Sequence, residues 1–354
     1  MATDTIRLGF IGAGAICRDR HLPGLQKIDG IELIAVCNRS QESGQAMADA
    51  WNFQEVMTDW QALIARDDID AIFIGTWPYR HREMSVAALE AGKHVFCQAR
   101  MCMDWDEAVA MCDAARKHSN LVNMICPPPH RIPWERRIHA AIGNDELGEI
   151  RGVSIVSLSG ANLGTGAASW RERSELSGIQ ILTVGIYAET LNAWVGEYAT
   201  LSATTATPIG QKTDDDGNPY TVQIPQIVTV QGKLQNGALV SEHHSGVAGA
   251  PAQEDITIFG SKATLRVDIR TSEIFFAKLG EELAPMKLSE GEVDDWQVEE
   301  DFINAVRAAR RGESWSVTPD FPEGAKYMRK MQALHESAKS GRVVNLDGSY
   351  PLPS

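Results

Sequence analysis

Three residues near the start of the chain have the types and spacing of a phosphate-binding turn. Gly12, Gly14 and Cys17 form a Gly-x-Gly-x-x-Cys pattern directly after the first apolar run of the sequence. The first glycine allows a tight turn, the second lets the backbone approach a pyrophosphate, and the following helix N-terminus favours its charge. We therefore predict a dinucleotide-binding turn in which Gly12, Gly14, Ala15 and Ile16 contact the ligand.

The end of the second apolar run bears on the choice of dinucleotide. Asn38, Arg39 and Ser40 stand about 20 residues past the glycines, where an acidic side chain would bind the ribose hydroxyls of NAD. Asn38 is uncharged, and Arg39 with Ser40 has the chemistry to hold a 2′-phosphate. This favours NADP over NAD, although a solvated Arg39 at a loop is the alternative.

Proton chemistry is expected after the run HVFCQ, where the sequence reads Gln98-Ala99-Arg100. Ala99 cannot act as a base. Arg100 is a poor base because its guanidinium stays charged, but it is suited to clamp a carboxylate, a phosphate or a developing oxyanion. Tyr187 is the best remaining proton-transfer candidate, and it needs a nearby cation, such as Arg100, to act as a base. Binding of substrate through the Tyr187 hydroxyl alone stays an equal alternative.

These residues need elements that position them, and the pattern of the first 126 residues predicts those elements. Short apolar runs alternate with helical segments, which is typical of a parallel sheet covered on both faces. Three consecutive prolines at 127–129 then interrupt the chain. We predict a dinucleotide-binding Rossmann domain over residues 1–126, with a doubly wound parallel sheet.

The second half reads as alternating strands separated by turns such as 214–218 and 235–237. Helices are predicted over 179–195, 294–311 and 322–340. We therefore expect an open, mostly antiparallel sheet flanked by helices, forming a substrate-binding and oligomerisation domain over residues 127–354.

The composition limits the partners and the compartment. The net charge is −14, which disfavours a nucleic-acid or anionic-membrane partner. No apolar run approaches the roughly 20 residues of a membrane helix. The cysteines lie within the first 126 residues and lack zinc spacing, and His243-His244 point to opposite faces of any regular strand. We expect reduced thiols, no metal site and a cytoplasmic protein.

Several stretches together resemble the Gfo/Idh/MocA family of nicotinamide-dependent oxidoreductases, nearly from end to end. They are residues 9–25 (GFIGAGAICRDRHLPGL), 76–81 (TWPYRH), 88–97 (ALEAGKHVFC), 146–153, 170–171, 184–197, 259–267, 299–313 and 335–346. The resemblance implies a Rossmann domain, an open-sheet second domain and assembly into homodimers or homotetramers. It also implies a nicotinamide cofactor and a sugar-like or otherwise hydroxylated small-molecule substrate.

The sequence departs from the family pattern where the family keeps its proton-transfer groups. Gln98-Ala99-Arg100 replaces Glu-Lys-Pro, and Thr183, Tyr187 and Thr190 replace an Asp, a His and a later Asp. The resemblance places Thr76, His81 and Gln98 beside the cofactor. Trp77 and Tyr79, which flank Pro78 in the same loop, could pack on the nicotinamide or on a sugar face, with plain packing as an equal alternative. His81 and His130 are fallback proton-transfer residues.

A second group of residues is expected at the substrate. Trp170 and Arg171 precede the helix that carries Tyr187, although solvation is a serious alternative for Arg171. Gln180 and Thr183 would share a face with Tyr187 if the helix includes all three. The predicted substrate contacts are Trp170, Arg171, Thr183, Gln180 and His130.

Three functions stay open on this basis. The first is an NADP- or NAD-dependent oxidoreductase that interconverts alcohols and ketones with an altered proton relay. The second is a redox-neutral lyase, hydrolase or epimerase that uses a bound nicotinamide transiently, which the absence of a lysine at position 99 motivates. The third is a nucleotide-binding protein without turnover.

Overall fold

The computed structural model describes residues 5–289 and 291–352. The strands are β1 Ile6–Ile11, β2 Ile31–Cys37, β3 Glu55–Met57, β4 Ala71–Ile74, β5 His94–Cys97, β6 Asn123–Ile125, β7 Ile150–Leu158, β8 Tyr198–Ala206, β9 Gln211–Thr213, β10 Pro219–Thr221, β11 Ile227–Leu234, β12 Leu239–Ser245, β13 Gln253–Gly260, β14 Ala263–Asp268, β15 Glu273–Lys278, β16 Ala284–Pro285 and β17 Val344–Asn345.

The α-helices are α1 Leu22–Leu25, α2 Gln41–Trp51, α3 Trp60–Ile64, α4 His81–Glu90, α5 Trp105–Lys117, α6 Ile132–Gly143, α7 Ser174–Ser177, α8 Val184–Trp194, α9 Val298–Arg310, α10 Phe321–Ser340 and α11 Leu346–Ser349. A π-helix, Cys17–His21, precedes α1, and short 3₁₀ helices cover Pro78–Arg80 and Trp170–Glu172.

The first sheet confirms the predicted parallel architecture. Among the described residues its strand order is β3-β2-β1-β4-β5-β6, and every neighbouring pair is parallel. Strands β4 and β5 are buried at every position, which explains why their sequences are continuous apolar runs rather than alternating ones. The order reverses at β1, so the loops after β1 and β4 lie at a topological switch point, where ligands of such sheets bind.

The chain divides into two compact units, whose limits differ from the predicted domain limits at residues 297–325. Among the described residues, unit 1 comprises 5–127 and 297–325, and unit 2 comprises 128–289, 291–296 and 326–352. Residues 297–325 therefore return to the Rossmann unit instead of continuing the second domain. The physical reason is aromatic packing, because Phe302 of α9 lies edge-on to Phe73 and Phe96, with ring centroids 5.3 and 5.5 Å apart.

Unit 2 contains the predicted mostly antiparallel sheet. Within the described residues its order is β16-β15-β14-β13-β7-β12-β11-β8-β17, and β7 pairs with β12 in parallel. Between the predicted turns at 214–218 and 235–237 the chain forms two strands, β10 and β11, which belong to different sheets. Pro225 lies between them and has no N–H to donate to a ladder.

The alternation along β12 determines which side chains face the interior. Val240, Glu242 and His244 are buried, whereas Ser241 and His243 are exposed. The expectation that adjacent histidines point to opposite faces is therefore met, and an acidic side chain and a histidine share the inner face.

Two further properties concern the whole described chain. Within residues 5–289 and 291–352, no three or more His, Cys, Asp or Glu side chains form a group that could hold a metal ion. No helix of that part of the chain has the length and apolar character to cross a membrane.

Candidate functional site

A cleft of about 580 Å³ opens in unit 1 at the switch point of the parallel sheet. Its volume lies within the range typical of small-molecule sites, roughly 300–1,000 Å³. The cleft is lined by the loop after β1, the end of β2 and the loop after β4. The predicted cofactor residues among its lining are Gly12, Gly14, Asn38, Arg39, Ser40, Thr76, Trp77 and Tyr79.

The glycine loop has the shape that its sequence predicts. Gly12 has φ +76°, and a Cβ atom there would lie 2.5 Å from Thr76 Cγ2 and 2.8 Å from the Thr76 backbone nitrogen. A Cβ atom on Gly14 would have only the Gly12 carbonyl oxygen nearby, at 3.9 Å. A side chain is therefore excluded at Gly12, whereas the space over Gly14 is open to an approaching ligand.

Cys17 fills the third position of the motif by packing rather than by chemistry. A Cβ atom on Gly75, at the end of β4, would lie 2.5 Å from Cys17 Sγ. Burial raises the pKa of the Cys17 thiol to about 12, so the thiol stays protonated. The cysteine and Gly75 thus bring the first helix close to the sheet.

Asn38 carries the clearest sign of a ligand. Its Nδ2 donates to the carbonyl oxygens of Ala13, at 3.3 Å, and Ser43, at 3.2 Å, which fixes the orientation of the amide. Its Oδ1 is buried and has no hydrogen-bond partner within the part of the chain that the structure describes. A buried acceptor that lines a cleft is suited to a hydroxyl donor of a ligand, such as a ribose hydroxyl.

The neighbouring residues form the N-terminus of α2. Ser40 is its N-cap, and the Ser40 hydroxyl accepts from the Ser43 backbone N–H at 3.2 Å. Arg39 is exposed at the rim of the cleft. A cationic side chain beside the positive end of an 11-residue helix favours an anionic group at this rim.

The opposite wall of the cleft is aromatic and cationic. Trp77 and Tyr79 are 38% and 44% exposed, which is unusual for large apolar rings and leaves their faces accessible. The Arg80 guanidinium lies 5.7 Å from the centre of the Trp60 ring and 5.9 Å from that of Tyr79. Trp60 and Arg80 were not among the predicted contacts, because no short motif identifies them; only the fold brings α3 to this wall.

Two predicted cofactor residues are held inside unit 1 instead of lining the cleft. His81 is fully buried, with Nδ1 2.7 Å from the Arg100 carbonyl oxygen and Nε2 2.8 Å from that of Thr76. Gln98 is buried, and its Nε2 lies 2.5 Å from His21 Nε2. Since both ring nitrogens of His81 face carbonyl oxygens, the residue ties two loops together. Its proton-transfer role stays a prediction.

The Gln98 side chain belongs to a buried chain of hydrogen bonds. Gln98 Oε1 accepts from the Ala99 backbone N–H at 2.9 Å, so its amide nitrogen must donate to His21. His21 Nδ1 then donates to Glu299 Oε1 at 2.5 Å. This network holds the start of the Gln98-Ala99-Arg100 segment. Arg100 follows a cis peptide bond and is buried.

The first helical turn after the glycines holds the remaining two predicted contacts. Ala15 and Ile16 are exposed and lie outside the lining of the cleft. Their position directly after Gly14 is compatible with a phosphate contact, which stays a prediction.

In unit 2, Tyr187 lies between two imidazole rings. The centre of its ring is 5.1 Å from that of His130 and 5.5 Å from that of His244. Burial raises the pKa of Tyr187, and the Glu254 carboxylate adds to the rise, while a hydrogen bond with Ser157 acts in the opposite direction. Tyr187 is therefore a protonated hydroxyl at neutral pH, and its action as a base or as a binding hydroxyl stays a prediction.

The contacts of His130 define its tautomer. Thr190 Oγ1 donates to the Ile186 carbonyl oxygen at 3.0 Å, so it must accept from His130 Nε2, also at 3.0 Å. His130 therefore has its proton on Nε2 and a lone pair on Nδ1. Burial lowers its pKa to about 4, so the ring is neutral at physiological pH.

Two predicted substrate residues stand before α8 rather than on it. The helix begins at Val184, with Thr183 as its N-cap, so residues 180, 183 and 187 do not share one helical face. Gln180 is almost fully buried, and its Nε2 lies 2.9 Å from Met328 Sδ. Tyr187, His130, His244 and Ser157 form what we call the Tyr187 group. Thr183 contacts this group, because its hydroxyl lies 3.2 Å from that of Ser157.

Trp170 and Arg171 form a separate exposed feature of unit 2. The Arg171 guanidinium lies 4.4 Å from the centre of the Trp170 ring. The short helix that carries them is closed by a capping box between Ser169 and Glu172, and buried Glu172 pairs with Lys212 at 2.8 Å. The capping box and the Glu172–Lys212 ion pair anchor this pair.

The sequence reasoning missed a buried charge network behind Tyr187. His244 Nε2 lies 3.0 Å from Glu242 Oε2, and Lys330 Nζ lies 2.7 and 2.8 Å from the two Glu242 oxygens. The Tyr198 hydroxyl donates to Glu242 at 2.5 Å. The alternation of β12 already indicated that Glu242 and His244 share a face, whereas nothing in the sequence indicated Lys330 as their partner.

Comparison with known proteins identifies the family. Residues 6–125 match the model of the "Oxidoreductase family, NAD-binding Rossmann fold", and residues 136–266 match the "GFO/IDH/MocA C-terminal domain". The chain belongs to the Gfo/Idh/MocA family.

Individual relatives are more distant. A 4-carboxy-2-hydroxymuconate-6-semialdehyde dehydrogenase from a Sphingobium species is 32% identical over 145 residues, which are 40% of this chain and 44% of the relative. D-glucoside 3-dehydrogenase of Escherichia coli is 24% identical over 98% of this chain and 99% of its own. The chain spans about half the length of several curated relatives that it matches.

Among solved structures, levoglucosan dehydrogenase in complex with NADH and L-sorbose has a TM-score of 0.87. It is 21% identical in sequence, and the match covers 97% of this chain and 99% of that one. The likeness shows that the fold is shared over nearly the whole chain.

The residues of the cleft fit the nicotinamide dinucleotide that the family implies. The open approach to Gly14 suits a pyrophosphate, and the unsatisfied Asn38 Oδ1 suits a ribose hydroxyl. The dinucleotide is thus compatible with the loop, with the end of β2 and with the N-terminus of α2.

Proposed function

We propose that this chain is an NAD(P)-dependent oxidoreductase that interconverts alcohol and carbonyl groups on a sugar-like or other hydroxylated small molecule. The observation that carries the proposal is the cleft of unit 1, where an open glycine loop meets the buried, unsatisfied Asn38 acceptor. The family and the relatives named as dehydrogenases support the same reaction type.

The preferred cofactor is NADP. When bound, the nicotinamide supplies hydride transfer, and the protein supplies orientation and a path for the proton. Asn38 Oδ1 accepts from a ribose hydroxyl, while exposed Arg39 and the N-terminus of α2 attract the 2′-phosphate. The absence of an acidic side chain at position 38 removes the repulsion that such a phosphate would otherwise meet.

Proton transfer is assigned to the Tyr187 group of unit 2. A protonated Tyr187 hydroxyl donates a hydrogen bond to the substrate oxygen, and it gives up its proton when a carbonyl is reduced. Neutral His130 beside it adds no positive charge, which suits an uncharged hydroxylated substrate.

A redox-neutral reaction is the second candidate. Ala99 stands where the family carries a lysine, so the usual proton carrier is missing from the Gln98-Ala99-Arg100 segment. A dinucleotide that stays bound through purification and never exchanges during turnover would favour this candidate over net oxidation or reduction.

The test is steady-state turnover with NADP and NAD and a panel of polyols, sugars and keto-sugars. Tyr187→Phe keeps the ring and should lower kcat by about 10²-fold or more, the usual contribution of a general acid or base. Tyr220→Phe, which removes the hydroxyl of a tyrosine outside this group, is the matched control. Absence of nicotinamide turnover with every compound would refute the oxidoreductase.

The choice of cofactor has its own test. Arg39→Ala should weaken NADPH binding by about tenfold, the effect of losing one charged contact of ~1.4 kcal/mol, and leave NADH binding nearly unchanged. Arg116→Ala removes an exposed arginine away from the cleft and should change neither affinity. An equal loss for NADH and NADPH would contradict the NADP preference.

A further inference from the structure

Lys330, Glu242 and His244 form a buried network near Tyr187, although charged side chains are rarely fully buried. Lys330, Glu242 and His244 are each 2% exposed or less. An ion pair at such depth contributes little net stability, because its desolvation offsets the attraction between the charges. A buried charged group next to a candidate proton-transfer residue therefore points to a role in chemistry.

The hydrogen bonds of the network determine the tautomer of His244. Lys330 and Tyr198 donate hydrogen bonds to Glu242. Burial raises the pKa of the Glu242 carboxyl, but Lys330 and His244 lower it by more, to about 2. Glu242 is therefore ionised and can only accept, so His244 must donate to it from Nε2. The lone pair of His244 then lies on Nδ1.

His244 Nδ1 is an acceptor without a donor. The atom is buried and has no hydrogen-bond partner among the described residues. The ring lies edge-on to Tyr187, with an interplanar angle of 62°. His244 also pairs across the sheet with Ser157, the residue that hydrogen-bonds Tyr187. The unsatisfied nitrogen thus belongs to a ring that contacts the Tyr187 ring and lies opposite Ser157 in the sheet.

His130, on the other side of Tyr187, is a weaker candidate for the same role. Its Nε2 donates to a neutral hydroxyl, that of Thr190, whereas His244 Nε2 donates to a carboxylate. A carboxylate behind a histidine fixes its tautomer and stabilises the imidazolium that forms when the other nitrogen takes a proton. Of the two histidines that contact Tyr187, His244 is the one whose Nε2 donates to a carboxylate among the described residues.

We propose that His244 receives at Nδ1 the proton that alcohol oxidation releases through Tyr187, with Glu242 and Lys330 as positioning residues. The inference rests on the proposed function. The substrate hydroxyl gives its proton to Tyr187 Oη while the Tyr187 proton passes through one water to His244 Nδ1, because no described residue lies within hydrogen-bond distance of that nitrogen. The bound nicotinamide would take the hydride. Reduction of a carbonyl reverses each transfer. His244 thus supplies the acceptor that a lysine at position 99 would have provided.

The experiment compares substitutions at two adjacent histidines of β12. His244→Gln retains an amide N–H for Glu242 and removes the Nδ1 acceptor, whereas His244→Asn retains an acceptor oxygen near Nδ1 but cannot titrate. His243→Gln changes the exposed neighbour and is the matched control. Circular dichroism and thermal unfolding establish that each variant is folded before kcat, KM and their pH profiles are measured for oxidation.

We expect His244→Gln to lower kcat by about 10² to 10⁴-fold, the range for loss of a general base, with KM changed less than threefold. Oxidation by the wild type should fall on the acid side as His244 takes a proton, and this limb should be absent in His244→Gln. The other charged or titratable groups that face His244 are Glu242, Lys330 and Tyr187. His243 lies on the opposite face of β12, and the His243→Gln profile separates its titration from that of His244.

Each outcome decides the inference. A large kcat loss without the acid limb in folded His244→Gln, and the same absence of the acid limb in His244→Asn, supports it. Turnover of His244→Gln equal to that of His243→Gln overturns the relay and leaves the proposed function intact. A wild type that turns over no substrate overturns the proposed function itself and the relay with it.

Discussion

The Lys330–Glu242 pair permits a quantitative prediction about stability. Lys330→Met removes the cation that contacts both Glu242 oxygens, at 2.7 and 2.8 Å, and leaves a fully buried carboxylate with Tyr198 and His244 alone. Breaking a buried pair from one side typically destabilises a protein by about 3–5 kcal/mol, because the remaining charge is uncompensated. We expect a loss in this range.

The lowered pKa of Glu242 gives the free energy by which its ionised form stabilises the folded state, and the pH range in which this stabilisation acts. A fall from 4.5 to about 2 corresponds to about 3 kcal/mol at 1.36 kcal/mol per pKa unit. Because the folded-state pKa is lowered, this stabilisation is complete above the unfolded value of 4.5 and is lost as the pH falls towards 2. Loss of stability on acidification and loss of stability in Lys330→Met therefore both report on the interactions of the Glu242 carboxylate.

Urea unfolding at pH 7, followed by tryptophan fluorescence and circular dichroism, measures the change. The matched variant is Lys330→Met combined with Glu242→Gln, which removes both charges and should be less destabilised than the sum of the single variants by about 1–3 kcal/mol. A single-variant loss below about 1 kcal/mol, or strict additivity, would refute the reasoning that the carboxylate is buried and depends on Lys330.

Two further predictions concern unit 1. The His94 ring accepts at Nδ1 from the Val122 backbone N–H at 2.9 Å, and burial lowers its pKa to about 4. The folded state therefore requires a neutral His94 ring, so its stability should fall as the pH drops from about 6.5 to 4. His94→Asn should reduce this pH dependence of the melting temperature in thermal melts at several pH values. An unchanged pH dependence would contradict this. Phe302→Ala should cost about 3–5 kcal/mol, because it empties the aromatic cluster with Phe73 and Phe96. A change below 1 kcal/mol in urea unfolding would show that α9 is not part of the core of unit 1.

Much of the fold follows from local patterns in the sequence. Continuous apolar runs such as β4 and β5 predicted the parallel sheet, and the turn at Gly12 and Gly14 has the geometry that its motif predicts. These features are set by backbone sterics and by burial on both faces of a strand, which a few consecutive residues determine.

What the sequence could not predict depends on contacts between distant residues. The return of residues 297–325 to unit 1 rests on Phe302, whose partners are more than 200 positions away. Gln98 was expected beside the cofactor, but a hydrogen bond with His21, 77 positions away, holds it in the interior. The helical spacing of Gln180 was misleading because α8 begins later, at Val184.

The central claim is that the cleft of unit 1 binds a nicotinamide dinucleotide through its glycine loop. The most direct measurement is a fluorescence titration of nucleotide-stripped protein with NADPH and NADH, for the wild type, Gly12→Ala and Gly92→Ala. Both glycines have φ +76°, but a Cβ atom clashes with Thr76 only at Gly12, and nothing lies within 4 Å at Gly92.

Both substitutions therefore place an alanine at a positive φ, whereas only Gly12→Ala places a Cβ atom against Thr76 in the cleft. We predict saturable binding by the wild type and by Gly92→Ala, tighter for NADPH than for NADH, and loss of binding by Gly12→Ala. Binding of neither nucleotide by the wild type, or equal binding by folded Gly12→Ala, would contradict the account.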